Sequence, residues 1–323
     1  MVRRPFLLSL LIAFPFLAVA VTSPVTPDPR LLPLVPPGAQ FVAGMSASSA
    51  PGQPASYLVA TRNNTMDFRD FISLAGVDDS RIIRQLVLVA AADDKGLLTD
   101  HSLLAVGHFD QARIFKSAVE NGADISEFKG IRVLVVQPLE REHSTFNDVR
   151  WLAVIEPDIA IFGTVTMVRN ELERHLAHSA ADPVLMRKLA RLRRDDAAWC
   201  ILAAFVHNYE TRRALGSLDP MLADPAHDGD AFQFGIHFGR HVEFEYEITP
   251  ASTACSRIIS DSLPQSLAGL KKESTLIPLA DAMSGCNPIQ GVIKVSIARY
   301  NAWLAEVAAR DMGSLHQTSK IVR

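Results

Sequence analysis

The stretch WLAVIEPDIAIFGTVTMVRNELERHLA, residues 151–177, decides how the rest of the chain is read. Two short apolar runs, residues 151–155 and 159–162, flank Glu156-Pro157-Asp158, a tripeptide whose proline and aspartate favour a turn. Val168, Leu172 and Leu176 follow at four-residue spacing, which predicts a helix with one apolar side. Neither run alternates with polar residues, so both are expected as strands covered on two faces. The same order, strand, strand, helix, is expected again over residues 231–263.

That second hairpin carries the clearest periodicity in the chain. Phe232, Phe234, Ile236 and Phe238 alternate with Gln233, Gly235 and His237, while Val242, Phe244, Tyr246 and Ile248 alternate with His241, Glu243, Glu245 and Glu247. One face is expected in the core and the other in water. Paired residues share a face, so the alternation excludes a two-residue turn, which would set Phe238 against His241. A three-residue loop over Gly239, Arg240 and His241 sets His237 against Glu243, Gly235 against Glu245 and Gln233 against Glu247. A loop one residue earlier would set His237 against His241.

Working outward, strands are expected over residues 40–45, 57–61, 85–91, 102–109, 131–136, 199–206 and 291–298. Asp110 is placed to cap a helix that buries Ile114, Phe115, Ala118 and Val119. Asp182-Pro183 gives a cap and a first-turn proline to a helix with Leu185, Leu189 and Leu192 inward and Arg187, Lys188, Arg191, Arg193 and Arg194 outward. Further helices are expected over residues 65–75, 209–218 and 250–263, and from Tyr300 to beyond Val307, while residues 271–288 read as a loop.

The N-terminus reads as an export leader. Arg3 and Arg4 precede the apolar run 6–16, and Ala18-Val19-Ala20 has the small residues a signal peptidase requires. Its rival is an uncleaved anchor, because residues 5–21 come near the shortest span of a bilayer, about 17 residues. Six prolines in residues 21–37 read as an extended linker. The expected organisation is therefore a signal peptide at 1–20, a linker at 21–37, halves at 38–196 and 197–311, and a polar tail at 312–323.

Strands interleaved with helices give an α+β class: two related halves, each a mostly antiparallel sheet with helices packed on one face, in a ferredoxin-like or similar arrangement. With its leader, this architecture resembles uncharacterised exported bacterial proteins built from tandem α+β halves. That resemblance implies no activity.

Loss of Arg3 and Arg4 from 32 basic residues leaves 30 against 35 acidic ones, a formal charge of about −5. Nothing in that balance recruits nucleic acid, and no stable membrane span is expected once the leader is removed. Of the three cysteines, Cys255 and Cys286 are the pair expected if a disulfide forms, since Cys200 lies in an apolar strand.

GxSxG, HExxH, P-loop, GxGxxG and CxxC motifs are missing from the sequence. The candidate metal ligands are His237, His241 and Glu243, because imidazole and carboxylate from adjacent strand positions can hold zinc. A solvated face is the alternative use of these residues, as it is for His175 and His178 near a helix C-terminus. The composite expectation is a non-catalytic exported protein, periplasmic or extracellular, that binds or scaffolds an envelope partner. The alternatives are metal-assisted hydrolysis at His237, His241 and Glu243, or small-ligand binding between the halves.

Overall fold

The computed structural model describes residues 27–46, 83–92, 98–120, 122–137, 149–193, 196, 198–202, 231–238, 240–249, 279–283, 289–296 and 298. They fall into two compact units, one drawn from Ser23–Pro54 and Met66–Ala203, the other from Ala204–Arg323. The leader, the helices expected over 65–75, 209–218 and 250–263 and in the C-terminal region, Cys255, Cys286 and the tail lie outside the described residues.

The first unit is a sheet of eight described strands: β1 (Phe41–Ser46), β2 (Ile83–Ala92), β3 (Leu98–Gly107), β4 (Asp124–Phe128), β5 (Ile131–Val136), β6 (Arg150–Glu156), β7 (Ile159–Thr164) and β8 (Ala198–Leu202). Its order is β8-β1-β2-β3-β7-β6-β5-β4, with every neighbouring pair antiparallel. The three described helices are α1 (Gln111–Glu120), α2 (Val165–Leu176) and α3 (Pro183–Leu189). The chain is thus a sheet-rich α+β protein whose described strands all pair antiparallel.

The β6–β7 hairpin turns at Pro157-Asp158 and pairs Leu152 with Phe162 and Ala153 with Ile161. At Thr164 the strand becomes α2 without a loop, because the Thr164 hydroxyl accepts from the Met167 amide and caps the helix. Asp110 caps α1 and Asp182 caps α3, with Pro183 in the first turn where its missing donor costs nothing. Lys129 and Gly130, both at positive φ, make the two-residue turn that joins β4 to β5.

Both faces of the central strands are buried, which accounts for the absence of polar alternation. On one face Val87, Val89, Leu104, Ile161, Ala153 and Ile201 form the core with Met167, Val168 and Leu172 of α2 and Leu185 of α3. On the other, Leu86, Ala105, Phe162, Leu152 and Leu134 are buried. Here α1 covers the β5 end: Arg132 lies 5.2 Å over the Phe115 ring, and Gln111 donates to the Val154 carbonyl. Helices therefore occupy both faces rather than the one expected, since each apolar face needs its own cover.

Residues 27–38 depart further from expectation. They are no linker: Leu31, Leu32, Leu34 and Val35 are buried in the α2-side core. Turn hydrogen bonds from the Leu31 amide to the Asp28 carbonyl and from the Leu34 amide to the Leu31 carbonyl fold this strap into successive turns, and its leucines supply the apolar contact. The fold thus begins before Gly38. β8 also belongs to this unit rather than opening a second half, since it pairs with β1 from Phe41↔Leu202 to Met45↔Ala198. The Trp199 indole packs directly on Gly44, where a Cβ would overlap the ring.

Two helix faces end sooner than their periodicity suggests. Val119 and Leu176, expected inward, are 45% and 41% exposed, because each sits in the last turn of its helix.

The second unit has four described strands: β9 (Ala231–Phe238), β10 (His241–Thr249), β11 (Leu279–Met283) and β12 (Ile289–Ser296). They pair antiparallel in the order β11-β12-β10-β9. The observed register sets His237 against Glu243, Gly235 against Glu245 and Gln233 against Glu247, the first of the two registers that alternation allows. β11 lies within the expected loop 271–288.

Candidate functional site

The residues singled out for metal binding lie on the polar face of β9 and β10. His237 faces Glu243 across the hairpin, and Glu243 faces Lys294 of β12 on its other side. Lys294 Nζ stands 3.3 Å from Glu243 Oε1, so an ammonium already neutralises the carboxylate. His241 is exposed and pairs with Ser296. Among the described residues, no three His, Cys, Asp or Glu side chains are grouped to hold a metal ion.

This face is also less wet than expected. Gln233 and Glu247, which pair in register, are 6% and 5% exposed, while Glu243 and Glu245 are half-buried. The opposite face carries the buried Phe234, Ile236 and Val242, in keeping with the alternation.

His175 and His178 are held apart in role by the end of α2. His175 remains in the last turn, whereas His178 has left the helix at φ 48°. Arg174, beside them, donates Nε to the Pro33 carbonyl and a terminal nitrogen to the Ala180 carbonyl, at 2.7 Å each. This helix end therefore fastens the strap.

A charged network secures the strap's other end. Arg30 forks onto Asp158 at 2.8 and 3.0 Å and also reaches Asp28 and Glu156, each at 2.9 Å. Arg84 adds a contact to Asp158. The Arg30 guanidinium holds the Asp28 and Asp158 carboxyls below their ordinary range, and those carboxylates push Arg30 above its own.

Sequence reading passed over the most unusual ionisable group, Glu171. It sits on the buried arc of α2 with Met167, Val168 and Leu172 and is fully buried. Ser102 of β3 donates its hydroxyl to Glu171 Oε1 in a very short hydrogen bond. Among the described residues, Oε2 has no hydrogen-bond partner. Burial pushes the carboxyl up to about 8, and the Ser102 hydroxyl only partly opposes that shift. A signal was available: Glu171 interrupts an apolar helix face at the i+3 position from Val168 and i+4 from Met167.

The sheet beneath this pair is closely drawn together. Ser102 faces Gly163 of β7, where a Cβ would run into the His101 carbonyl and the Ser102 Cα. Arg150 and Thr164, paired in register on β6 and β7, and His101 of β3 add buried polar groups at the same end of the sheet. Cys200 on β8 is buried, and that burial drives its thiol well above the usual range, away from thiolate chemistry.

The Glu171 carboxyl, the Ser102 hydroxyl and Gly163 make a tight seat for α2, while Arg30 is engaged with Asp28, Glu156 and Asp158, and Lys294 with Glu243. Comparison with protein-family models, with curated proteins and with solved structures returns no match for this chain.

Proposed function

We propose that this chain is an exported, non-catalytic protein that binds or scaffolds a partner in the cell envelope or extracellular space. The observation that carries the reading is the leader: Arg3-Arg4, the apolar run 6–16 and Ala18-Val19-Ala20. The strap supports it, since the folded body begins within a few residues of the cleavage site and would remain intact after processing. The engaged charges of Arg30, Glu243 and Lys294 support packing and surface roles. We read the two units as related halves on the recurrence of a hairpin at 150–164 and at 231–249.

In-cell crosslinking of tagged full-length protein, with mass spectrometry of its N-terminus and of attached chains, tests this reading. An N-terminus at Val21 together with a reproducible envelope partner is the expected result. Mature protein without a partner overturns binding, and a retained leader overturns processing in favour of an anchor. The cross-strand placement of His237 against Glu243 favours metal-assisted hydrolysis as the second reading, which metal analysis decides.

A further inference from the structure

Helix α2 joins three parts of the first unit. Its inner face presses Met167, Val168 and Leu172 into the core. Its outer face receives the β4–β5 turn, through Lys129 Nζ on Glu173 at 2.8 Å and through Arg169 over the Phe128 ring at 5.2 Å. Its last turn holds the strap through Arg174 and the Pro33 carbonyl.

At the centre of that inner face lies a carboxyl with one hydroxyl partner. A neutral carboxyl costs far less there than a carboxylate, since it brings no charge into the core. A carboxylate there would keep one donor, Ser102, while Oε2 meets none among the described residues. Core, turn and strap are all attached to α2, so its outward movement loosens all three contacts.

We propose that Glu171 makes α2 an alkaline-release latch: neutral, its carboxyl seats the helix on Ser102, and charged, it drives the helix and the strap it holds off the sheet. The latch stands on this juxtaposition and is independent of the export reading.

Charged groups on the surrounding elements do not set the switch. On α2 these are Arg169, Glu173, Arg174 and His175; on the β4–β5 turn, Lys129, which is paired with Glu173; on β3, Asp100, on the same side as Ser102, and His101, on the opposite side; on the strap, Asp28 and Arg30; on α3, Asp182, Arg187 and Lys188. β7 and β6 contribute Gly163 and Trp151 at this level. Among the described residues, burial pushes the carboxyl up from an ordinary 4.5 to about 8, and the Ser102 hydroxyl alone opposes it.

The direction of the response follows. Closed α2 binds a proton that the opened helix releases, so opening becomes easier as pH rises between about 4.5 and 8 and levels off above that. The expected change in the opening equilibrium is about tenfold per pH unit within the window.

The test is hydrogen exchange of the full-length chain from pH 5 to 9, corrected for intrinsic exchange and read by mass spectrometry in peptides covering 165–176, 27–37 and 83–92. Protection of α2 and the strap should fall steeply with pH while β2 holds, and Glu171→Gln should abolish the fall. Ser102→Ala, which removes the group favouring the carboxylate, should move the midpoint upward and gives a second reading should the Gln variant not fold. An equal fall in Glu171→Gln, a fall shared by β2, or a Ser102→Ala midpoint that stays or moves down would each overturn the latch.

Discussion

Glu171 and Asp158 bear the same chemical group in the same unit, and their surroundings move it in opposite directions. Burial against apolar side chains raises Glu171, whereas the Arg30 fork lowers Asp158. The difference separates two ways of holding one segment. Beneath α2 a polar group is tolerated only while neutral, and the adjoining core depends on close apolar packing. At the β6–β7 turn full charges are tolerated because water still reaches them, and for the same reason each contributes little.

The strap meets both environments in consecutive residues, which makes the comparison breakable. Leu31 is fully buried, while the side chain of Arg30 is 41% exposed. Leu31→Ala should destabilise the first unit by about 2–5 kcal/mol, the range for deleting a buried leucine side chain. Chemical denaturation followed at Trp151 and Trp199 measures this. A loss below about 1 kcal/mol would mean that the strap is not held by its core side.

Arg30→Ala should cost far less, under about 1 kcal/mol, despite removing five side-chain hydrogen bonds, and most of that difference should vanish in 1 M salt. The pH response has the opposite sign to that of Glu171. Asp28 and Asp158 are depressed, so their contribution is present above an ordinary 3.8 and is lost as pH falls below it. The Arg30→Ala and wild-type stabilities should therefore converge on acidification toward pH 2. A salt-insensitive loss of several kcal/mol would show the network to be part of the core.

The same contrast explains what could be read from the sequence. The register of β9 and β10 was legible because alternation assigns every residue to a face and excludes half of the possible turns. The caps at Asp110 and Asp182 were legible because their chemistry is local. β4 escaped notice because its residues Asp124, Ser126 and Glu127 belong to a sheet edge with no buried pattern. Proline density reads as a linker and masks the leucines between, which share a core with residues distant in sequence such as Val87, Leu104 and Ile161. Val119 and Leu176 were misplaced because periodicity does not encode where a helix outruns its support. Glu171 was visible as a carboxylate on an apolar stripe, but its meaning needed Ser102, 69 residues away.

The smallest expected effect concerns the second unit and sharpens the surface side of the comparison. Lys294 and Glu243 have side chains 42% and 20% exposed, so Lys294→Ala should change stability by less than about 1 kcal/mol. Its informative consequence is chemical. The ammonium competes with any cation for Glu243, so its removal leaves that carboxylate and His237 as the best-placed ligand pair on this face. Two ligands fall short of the three that a catalytic zinc site takes from its protein. Protein purified without chelator should therefore carry less than stoichiometric zinc in both forms, as measured by elemental analysis. Stoichiometric zinc in the wild type, lost in His237→Ala, would place a metal centre on this face and transfer the functional reading to metal-assisted hydrolysis.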